Sequence, residues 1–184
     1  MSDSIRRRWT LKAGALLLCA TALQSGVAGA ADGVERLSLP DNNPFPISRA
    51  VTVRAGTDLF FLSGQTPQPI DKSVPAAEQK FGDTEMQTMS VLTQLKGTLE
   101  TLGLTMGDVV KMTVFLVGAP DTHTMDFKGF MASYSKFFGT ADQPNKPARS
   151  AFQIAALGNP AYLVEIEVIA AKPPHKAGMR KSNK

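Results

Sequence analysis

The pattern of hydrophobic and polar positions predicts a pair of strands near the start of the central part of the chain. Residues 47–56 (ISRAVTVRAG) and 58–65 (DLFFLSGQ) are strand-like stretches rich in β-branched and aromatic residues. The turn at 55–57 separates them, so together they predict a β-hairpin. The stretch 66–82 that follows holds three prolines and little periodicity, which predicts a long loop.

A helix is predicted for residues 84–102, where four leucines recur on one helical face. Thr84 and Gln87 have the spacing of a capping box, in which the two side chains satisfy free backbone N–H groups at the helix start. Gly103 follows the last leucine and supplies the stop signal.

A second helix is predicted for residues 122–138, after a strand at 108–117 (DVVKMTVFLV). Its aromatic stripe repeats at helical spacing, and such a stripe is far more often core than a ligand-binding set. Gly139 ends the pattern. The stripe consists of Phe127, Phe130, Met131, Tyr134, Phe137 and Phe138.

Two last strands, about 148–156 and 161–171, are joined by LGNP at 157–160 and predict a second hairpin. The element order is therefore β-β-α-β-α-β-β. This order predicts an α+β domain with a mostly antiparallel or mixed sheet and two helices on one face.

The predicted sheet is apolar on both faces, although two helices can cover only one of them. Alternate positions of the first two strands are hydrophobic on each side, and such a sheet needs cover on both sides. We therefore expect a second copy of the chain to cover the other face, which means a homo-oligomer. One set is Val51, Val53, Leu59 and Phe61, and the other is Thr52, Phe60 and Leu62.

The N-terminal residues 1–31 have the order of a cleavable export signal. A basic stretch precedes an apolar run and then small residues at 28–31, and the run is too short to span a bilayer. The segment RRWTLK resembles a twin-arginine signal but has Thr10 where a large apolar residue is usual, so the general secretory route stays open. An ordinary amphipathic helix is the alternative. We expect a periplasmic protein that keeps no membrane anchor after cleavage.

Cysteine and charge narrow the chemistry of the mature chain. Cys19 is the one cysteine and lies within the predicted signal, so disulfides and thiolate chemistry are not expected. The stretch 31–171 carries 11 basic and 15 acidic residues, and the excess positive charge lies at the two ends of the chain. A nucleic-acid partner is therefore not expected. The domain is predicted at 32–171, and the basic tail at 172–184 is predicted to be disordered.

The common catalytic motifs are missing from the sequence. There is no P-loop, GxGxxG or GxSxG, and neither His123 nor His175 has metal ligands at suitable spacing. We therefore expect neither a cofactor nor a metal.

One pattern does carry candidate chemistry. Alternation in LVEIEVI places Glu165 and Glu167 on one face of the last strand, and Arg149 begins the strand that we expect beside it. An arginine fork can grip a small carboxylate, and a nearby glutamate can hold and deprotonate a water molecule. The alternative is that these three side chains pair with each other on a solvated sheet face.

The chain resembles the Rid (YjgF) family of imine/enamine deaminases. Five stretches carry the resemblance, in order, over nearly all of residues 46–171: ISRAV, FFLSGQTP, QTMSVLTQLKGTLETLG, GDVVKMTVFLV and PARSAFQIAALGNPAYLVEIEVIA. The resemblance implies a chorismate-mutase-like fold and a homotrimer whose sheets form a central barrel. It also implies active sites in clefts between subunits.

The same resemblance implies roles for single residues. Arg149 matches the arginine that binds the substrate carboxylate, and Glu165 matches the glutamate that orients the attacking water. Ser63 and Gly64 match residues that line the pocket, and the backbone at Ala151 matches a substrate contact. Glu167 is matched too, in a structural role.

Three positions depart from the family pattern. Ile47 stands at a common tyrosine, Met131 at a common asparagine and Ala151 at a common cysteine. The pocket is thus more apolar than usual. It could favour a larger apolar substrate, could have lost speed, or could have become a binding site; Ile47 and Met131 as plain core residues are the fourth interpretation.

The implied reaction is hydrolysis of 2-imino acids, or of 2-aminoacrylate-type enamines, to 2-keto acids and ammonia, as in 2-iminobutanoate/2-iminopropanoate deaminases. A protonated imine carbon is already electrophilic, so neither a metal nor a covalent nucleophile is needed. The alternative is a non-catalytic trimeric periplasmic protein that binds small carboxylates. A ribonuclease or translation inhibitor is less consistent with the acidic 31–171 stretch.

Overall fold

A computed structural model describes residues 33–172. The predicted export signal, and the tail from residue 173 onward, lie outside the described residues. Two short 3₁₀ turns, Ala76–Glu78 and Met106–Asp108, accompany the regular elements. The elements are β1 (Val34–Leu37), β2 (Ala50–Val53), β3 (Asp58–Gln65), α1 (Thr84–Thr101), β4 (Val109–Val117), α2 (Phe127–Tyr134), β5 (Ala148–Ile154) and β6 (Val164–Lys172).

Four of the strands form a mixed sheet in the order β3-β6-β4-β5. β6 runs antiparallel to both of its neighbours, whereas β4 and β5 are parallel. A parallel pair needs a crossover connection, and α2 with its flanking loops provides it. The predicted mixed sheet is confirmed.

The second predicted hairpin is wrong, because β4 lies between β5 and β6. The apolar side chains of β6 at Val164, Ile166 and Val168 are buried, which suits an inner strand. β5 is more exposed and takes the sheet edge. Alternation along each strand correctly gave the faces but carries no information on which strands are neighbours.

The first predicted hairpin is also wrong. β2 pairs with β1 in a separate two-stranded antiparallel sheet, while β3 pairs with β6. Gly56, whose φ is +83°, lies in the turn between β2 and β3. The sequence pattern did not reveal β1, which has only four residues. Arg36 of β1 attaches the small sheet to the start of β4 by donating to the carbonyl oxygens of Gly107 and Val109, at 2.9 and 3.2 Å.

The first helix begins and ends within one residue of its predicted bounds, but the capping box is wrong. Asp83 is the N-cap, and its carboxylate accepts a hydrogen bond from the Met86 backbone N–H at 2.9 Å. Gly103 has a φ of +69° and lies just after the helix, as the stop signal predicted.

Gln87 has a different role from the predicted one. Its fully buried side chain donates to the carbonyls of Gly82 and Ala161 and accepts from the Leu163 backbone N–H, at 2.7–3.0 Å. These bonds join the first turn of α1 to the segment that leads into β6.

The second helix is shorter than the predicted 122–138. Asp126 is its N-cap, and the Gly129 backbone N–H donates to that carboxylate at 2.8 Å. His123 in the preceding loop has a φ of +55°. This is a left-handed backbone conformation, and residues inside a right-handed α-helix do not adopt it. After Tyr134 the chain continues in turns as far as Gly139.

One hydrophobic core lies between the helices and one face of the four-stranded sheet. Both helices contribute to it, so the predicted α+β fold with two helices on one face is confirmed. No helix in the span 33–172 has the length and apolar character needed to cross a membrane. The core includes Leu92, Leu95 and Leu99 of α1, Phe130 and Tyr134 of α2, Met112, Val114 and Leu116 of β4, and Val164, Ile166 and Val168 of β6.

The other face of this sheet, called the open face below, is bare in the described part of the chain. Phe61 of β3 is 73% exposed, and Phe152 of β5 is 42% exposed. Large aromatic side chains at such exposure mark a surface for association. The expected homotrimer would cover this face and stays a prediction.

Candidate functional site

The guanidinium of Arg149 is packed among aromatic rings on the helix side of the sheet. Arg149 lies opposite Met112 of β4, a core residue, so its side chain points toward α2. Its Cζ lies 4.2 Å from the ring centre of Tyr134 and 4.9 Å from that of Phe130. Phe45 and Phe127 are farther away, with ring centres at 5.4 and 5.7 Å. The ring faces stabilise the cation without using its in-plane N–H donors.

Arg149 has no acidic partner among residues 33–172. The ion pairs of this region involve other residues, and the side-chain contact of its Nη1 is with the Met131 sulfur at 3.4 Å. Burial lowers the pKa of the Arg149 guanidinium from its usual value. A half-buried guanidinium with no carboxylate beside it can bind an anion, and its planar fork matches the geometry of a carboxylate.

Tyr134 supports Arg149 from below. Its ring is fully buried, and its hydroxyl donates to the Pro46 carbonyl at 2.8 Å. Burial raises the pKa of this phenol well above its usual range, and the nearby Arg149 opposes that shift in part. One side chain therefore fixes the guanidinium and also the loop that carries Phe45.

That loop is held against the start of β5. Ser48 is buried, and its backbone N–H donates to Pro147 O at 2.9 Å while its hydroxyl donates to Lys146 O at 2.6 Å. Phe45, two residues before Ile47, places its ring 5.4 Å from the Arg149 Cζ.

Ala151 and Gln153 share the helix-side face with Arg149, opposite Val114 and Leu116 of β4. Gln153 accepts from the Met125 backbone N–H at 2.8 Å and donates to His123 O at 3.0 Å. It thereby holds the loop that leads into α2. Ala151 packs against the core, and its methyl group offers no polar atom at this position of the strand.

A second group of predicted site residues lies on the open face. β3 has one extra residue relative to β6 between Leu62 and Gln65, which makes a β-bulge at Ser63 and Gly64. Gly64 lies directly against Glu165. A Cβ at this glycine would overlap Glu165 Oε1 and would lie 2.8 Å from its Cδ. Ser63, Gly64 and Glu165 therefore form one constellation.

The two groups do not meet within one chain. Glu165 lies opposite Phe115 of β4, on the open face, whereas Arg149 lies opposite Met112 on the helix side. The interpretation that the arginine and the glutamates pair with each other is therefore wrong. Glu167 shares the open face and is exposed. The described residues contain two separate candidate groups, one around Arg149 and one around Glu165, which are called the two half-sites below.

Phe45, Tyr134 and Gln153 were missed as site residues by the sequence analysis. Tyr134 was predicted as core, which it is, but its contact with Arg149 depends on tertiary packing. The segment PFP at 44–46 was a usable signal, since prolines on both sides of an aromatic residue favour a fixed loop. Among residues 33–172, no three His, Cys, Asp or Glu side chains are grouped so that they could hold a metal ion.

Comparison with known proteins gives consistent results. A profile of the endoribonuclease L-PSP family matches residues 42–172. The chain is 36% identical to a RutC family protein of Pyrococcus horikoshii over 133 residues, covering 72% of this chain and 94% of the relative. It is 34% identical over 116 residues to the 2-iminobutanoate/2-iminopropanoate deaminase of Escherichia coli K12, covering 62% of this chain and 80% of that enzyme.

The fold also has a counterpart among solved structures. A Rid family protein of unknown function from Yersinia pestis superposes with a TM-score of 0.56 at 24% identity, covering 75% of this chain and 98% of that one. This likeness concerns the fold alone.

Proposed function

Since the chain belongs to the endoribonuclease L-PSP family, which includes the RutC and YjgF proteins, we propose that it hydrolyses 2-imino acids or their enamine tautomers to 2-keto acids and ammonia. The named activity of the Escherichia coli relative supports the reaction type. In this proposal the Arg149 half-site would bind the substrate and the Glu165 half-site would act on the water molecule.

The observation that carries the proposal is the unpaired guanidinium of Arg149. Leaving a cation half-buried without an acidic partner costs stability, and a fold that keeps one gains from the anion it binds. A 2-imino acid has its carboxylate bonded directly to the reacting carbon. Two-point binding of that carboxylate would therefore fix the imine carbon as well.

Glu165 is proposed to act on the water molecule. It would accept a proton as the water oxygen bonds to the protonated imine carbon, and would return that proton to the nitrogen of the tetrahedral intermediate. The C–N bond then breaks as the C=O bond forms, and the hydroxyl proton leaves with ammonia as ammonium. No hydrogen bond or ion pair within residues 33–172 occupies the Glu165 side chain. Its carboxylate is thus available for a water molecule.

The complete site is proposed to lie between two copies of the chain. Arg149 and Glu165 are on opposite faces of one sheet, so one carboxylate ligand cannot contact both in the same chain. A neighbouring copy placed on the bare open face would bring its own Arg149 half-site toward Ser63, Gly64 and Glu165. A closed trimer with three equivalent sites satisfies this requirement.

A coupled assay tests the function. An L-amino-acid oxidase generates imines, and semicarbazide traps those that are not hydrolysed. We expect the protein to suppress the trapped product, and we expect Arg149→Ala and Glu165→Gln each to lower kcat/KM by at least about 100-fold. Glu167→Gln is the matched control on the same strand and should stay within about threefold. Equal activity of all three variants would refute the assigned roles.

The second candidate is a binding protein for small carboxylates, favoured by the apolar surroundings of Arg149. It predicts that 2-keto acids bind with Arg149 dependence while no imine is hydrolysed.

Export to the periplasm is part of the same proposal. It predicts that the protein recovered from the periplasmic fraction begins close to residue 32, which mass spectrometry of that fraction would measure.

A further inference from the structure

The surroundings of Arg149 divide into a buried part and an accessible part. Phe130 and Tyr134 are fully buried and pack on the guanidinium from the core side. Phe45, Phe127 and Met131 are only partly buried. These three side chains, called the outer wall below, are the partly exposed members of the group around the guanidinium.

The outer wall offers apolar contact and no hydrogen-bond donor. Two of its members are phenylalanines, whose ring centres lie within 6 Å of the Arg149 Cζ. The third is a methionine whose sulfur, a weak acceptor, is 3.4 Å from Arg149 Nη1. Neither the side chain of Ala151 nor the phenylalanine rings can donate a hydrogen bond to hold a small polar substrate.

A ligand carboxylate on Arg149 would bring its side chain against the outer wall. Charge-assisted hydrogen bonds are only about 2.8 Å long, so a bound carboxylate lies close to the guanidinium. In a 2-imino acid the carboxylate carbon is bonded to the imine carbon, and the side chain is attached to that imine carbon. The substituent would then lie within reach of Phe45, Phe127 and Met131. Methionine is flexible and adapts its shape to large apolar groups.

We infer that the Arg149 half-site selects 2-imino acids with large apolar side chains, aromatic or branched, over the small ones. This rests on the proposed function and adds its substrate class. Each methylene buried against an apolar wall favours binding about fourfold. A phenylalanine-derived or leucine-derived imine should therefore exceed the alanine-derived imine in kcat/KM by at least about tenfold.

The test compares imines made by the oxidase from alanine, leucine and phenylalanine, with the full-length mature protein. Met131→Asn places a polar amide in the outer wall. It should lower the ratio of kcat/KM for the phenylalanine-derived imine to kcat/KM for the alanine-derived imine by about tenfold. Met86→Asn is the matched control, since Met86 is an exposed methionine of α1 that is not part of the outer wall. It should change neither value.

The outcomes separate this inference from the proposed function. Arg149-dependent turnover with no preference, or with a preference for the alanine-derived imine, overturns the inference while the deaminase function stands. If no imine is hydrolysed, calorimetry compares the affinities of phenylpyruvate and pyruvate, and this comparison tests the size selection. Tighter, Arg149-dependent binding of phenylpyruvate supports the size selection without the reaction, and equal affinity overturns it.

Discussion

At the scale of single residues, the molecule places each candidate group against a neighbour that controls it. Arg149 rests on Tyr134, and Glu165 rests on Gly64. The resemblance had indicated Arg149, Ser63, Gly64 and Glu165. The sequence could not show what lies beneath them, because the ring cluster combines residues more than a hundred positions apart.

Gly64 provides a clean test of the Glu165 position. In Gly64→Ala the new methyl group would overlap the carboxylate, and because that carboxylate ends a flexible side chain, the fold should tolerate the change by moving it. We expect kcat to fall by at least about tenfold, with the free energy of unfolding changed by less than about 1 kcal/mol.

Gly97→Ala is the control for this substitution. Gly97 lies within α1 with no atom close to its missing Cβ, so alanine should stabilise the helix by up to about 1 kcal/mol and leave activity unchanged. Full activity in Gly64→Ala would show that the position of Glu165 is not critical. Kinetics and urea denaturation measure both effects.

Tyr134 makes stability depend on alkaline pH. Its pKa is raised in the folded protein, so the unfolded chain loses the phenolic proton first. The contribution of Tyr134 to the free energy of unfolding is complete below the ordinary tyrosine pKa of about 10, and it is lost as the pH rises above that value. Denaturation at pH 8 to 11 should show a steeper loss of stability in the wild type than in Tyr134→Phe. Parallel slopes would contradict the assignment.

At the scale of elements, local periodicity was informative and strand pairing was not. The bounds of β3 and α1 follow from residues within each segment, and both predictions are confirmed to within one residue. Both hairpins are wrong because β6 takes the centre of the sheet between β3 and β4. That choice depends on which apolar strand the helices cover, a property of the whole domain.

Gln87 joins two elements and can be tested as such. Gln87→Leu removes three hydrogen bonds and leaves the N–H of the buried Leu163 without its acceptor. We expect a loss of about 2–4 kcal/mol in the free energy of unfolding. Lys96→Ala, at an exposed position of the same helix, should cost less than about 0.5 kcal/mol. A loss below 1 kcal/mol for Gln87→Leu would contradict the bridging role.

At the scale of the whole molecule, a second copy of the chain would explain both the bare open face and the separation of Arg149 from Glu165. The strand pattern predicted a sheet that one chain cannot cover, and the structure leaves Phe61 and Phe152 exposed on that face. The position of the second copy could not be predicted from pattern, since it depends on the shape of the folded surface. In the proposed function, the second copy would also complete the site by bringing an Arg149 half-site to a Glu165 half-site.

Subunit complementation tests this central claim most directly. Arg149→Ala and Glu165→Ala chains, produced together in equal amounts, should form mixed trimers in which some sites receive an intact Arg149 from one copy and an intact Glu165 from the next. Random mixing restores about a quarter of the sites, so imine hydrolysis should return to about a quarter of wild type although each variant alone is inactive. Arg149→Ala mixed with the double variant is the control and should stay inactive. No recovery in the first mixture, with mixed trimers demonstrated by mass spectrometry, would contradict a site shared between copies.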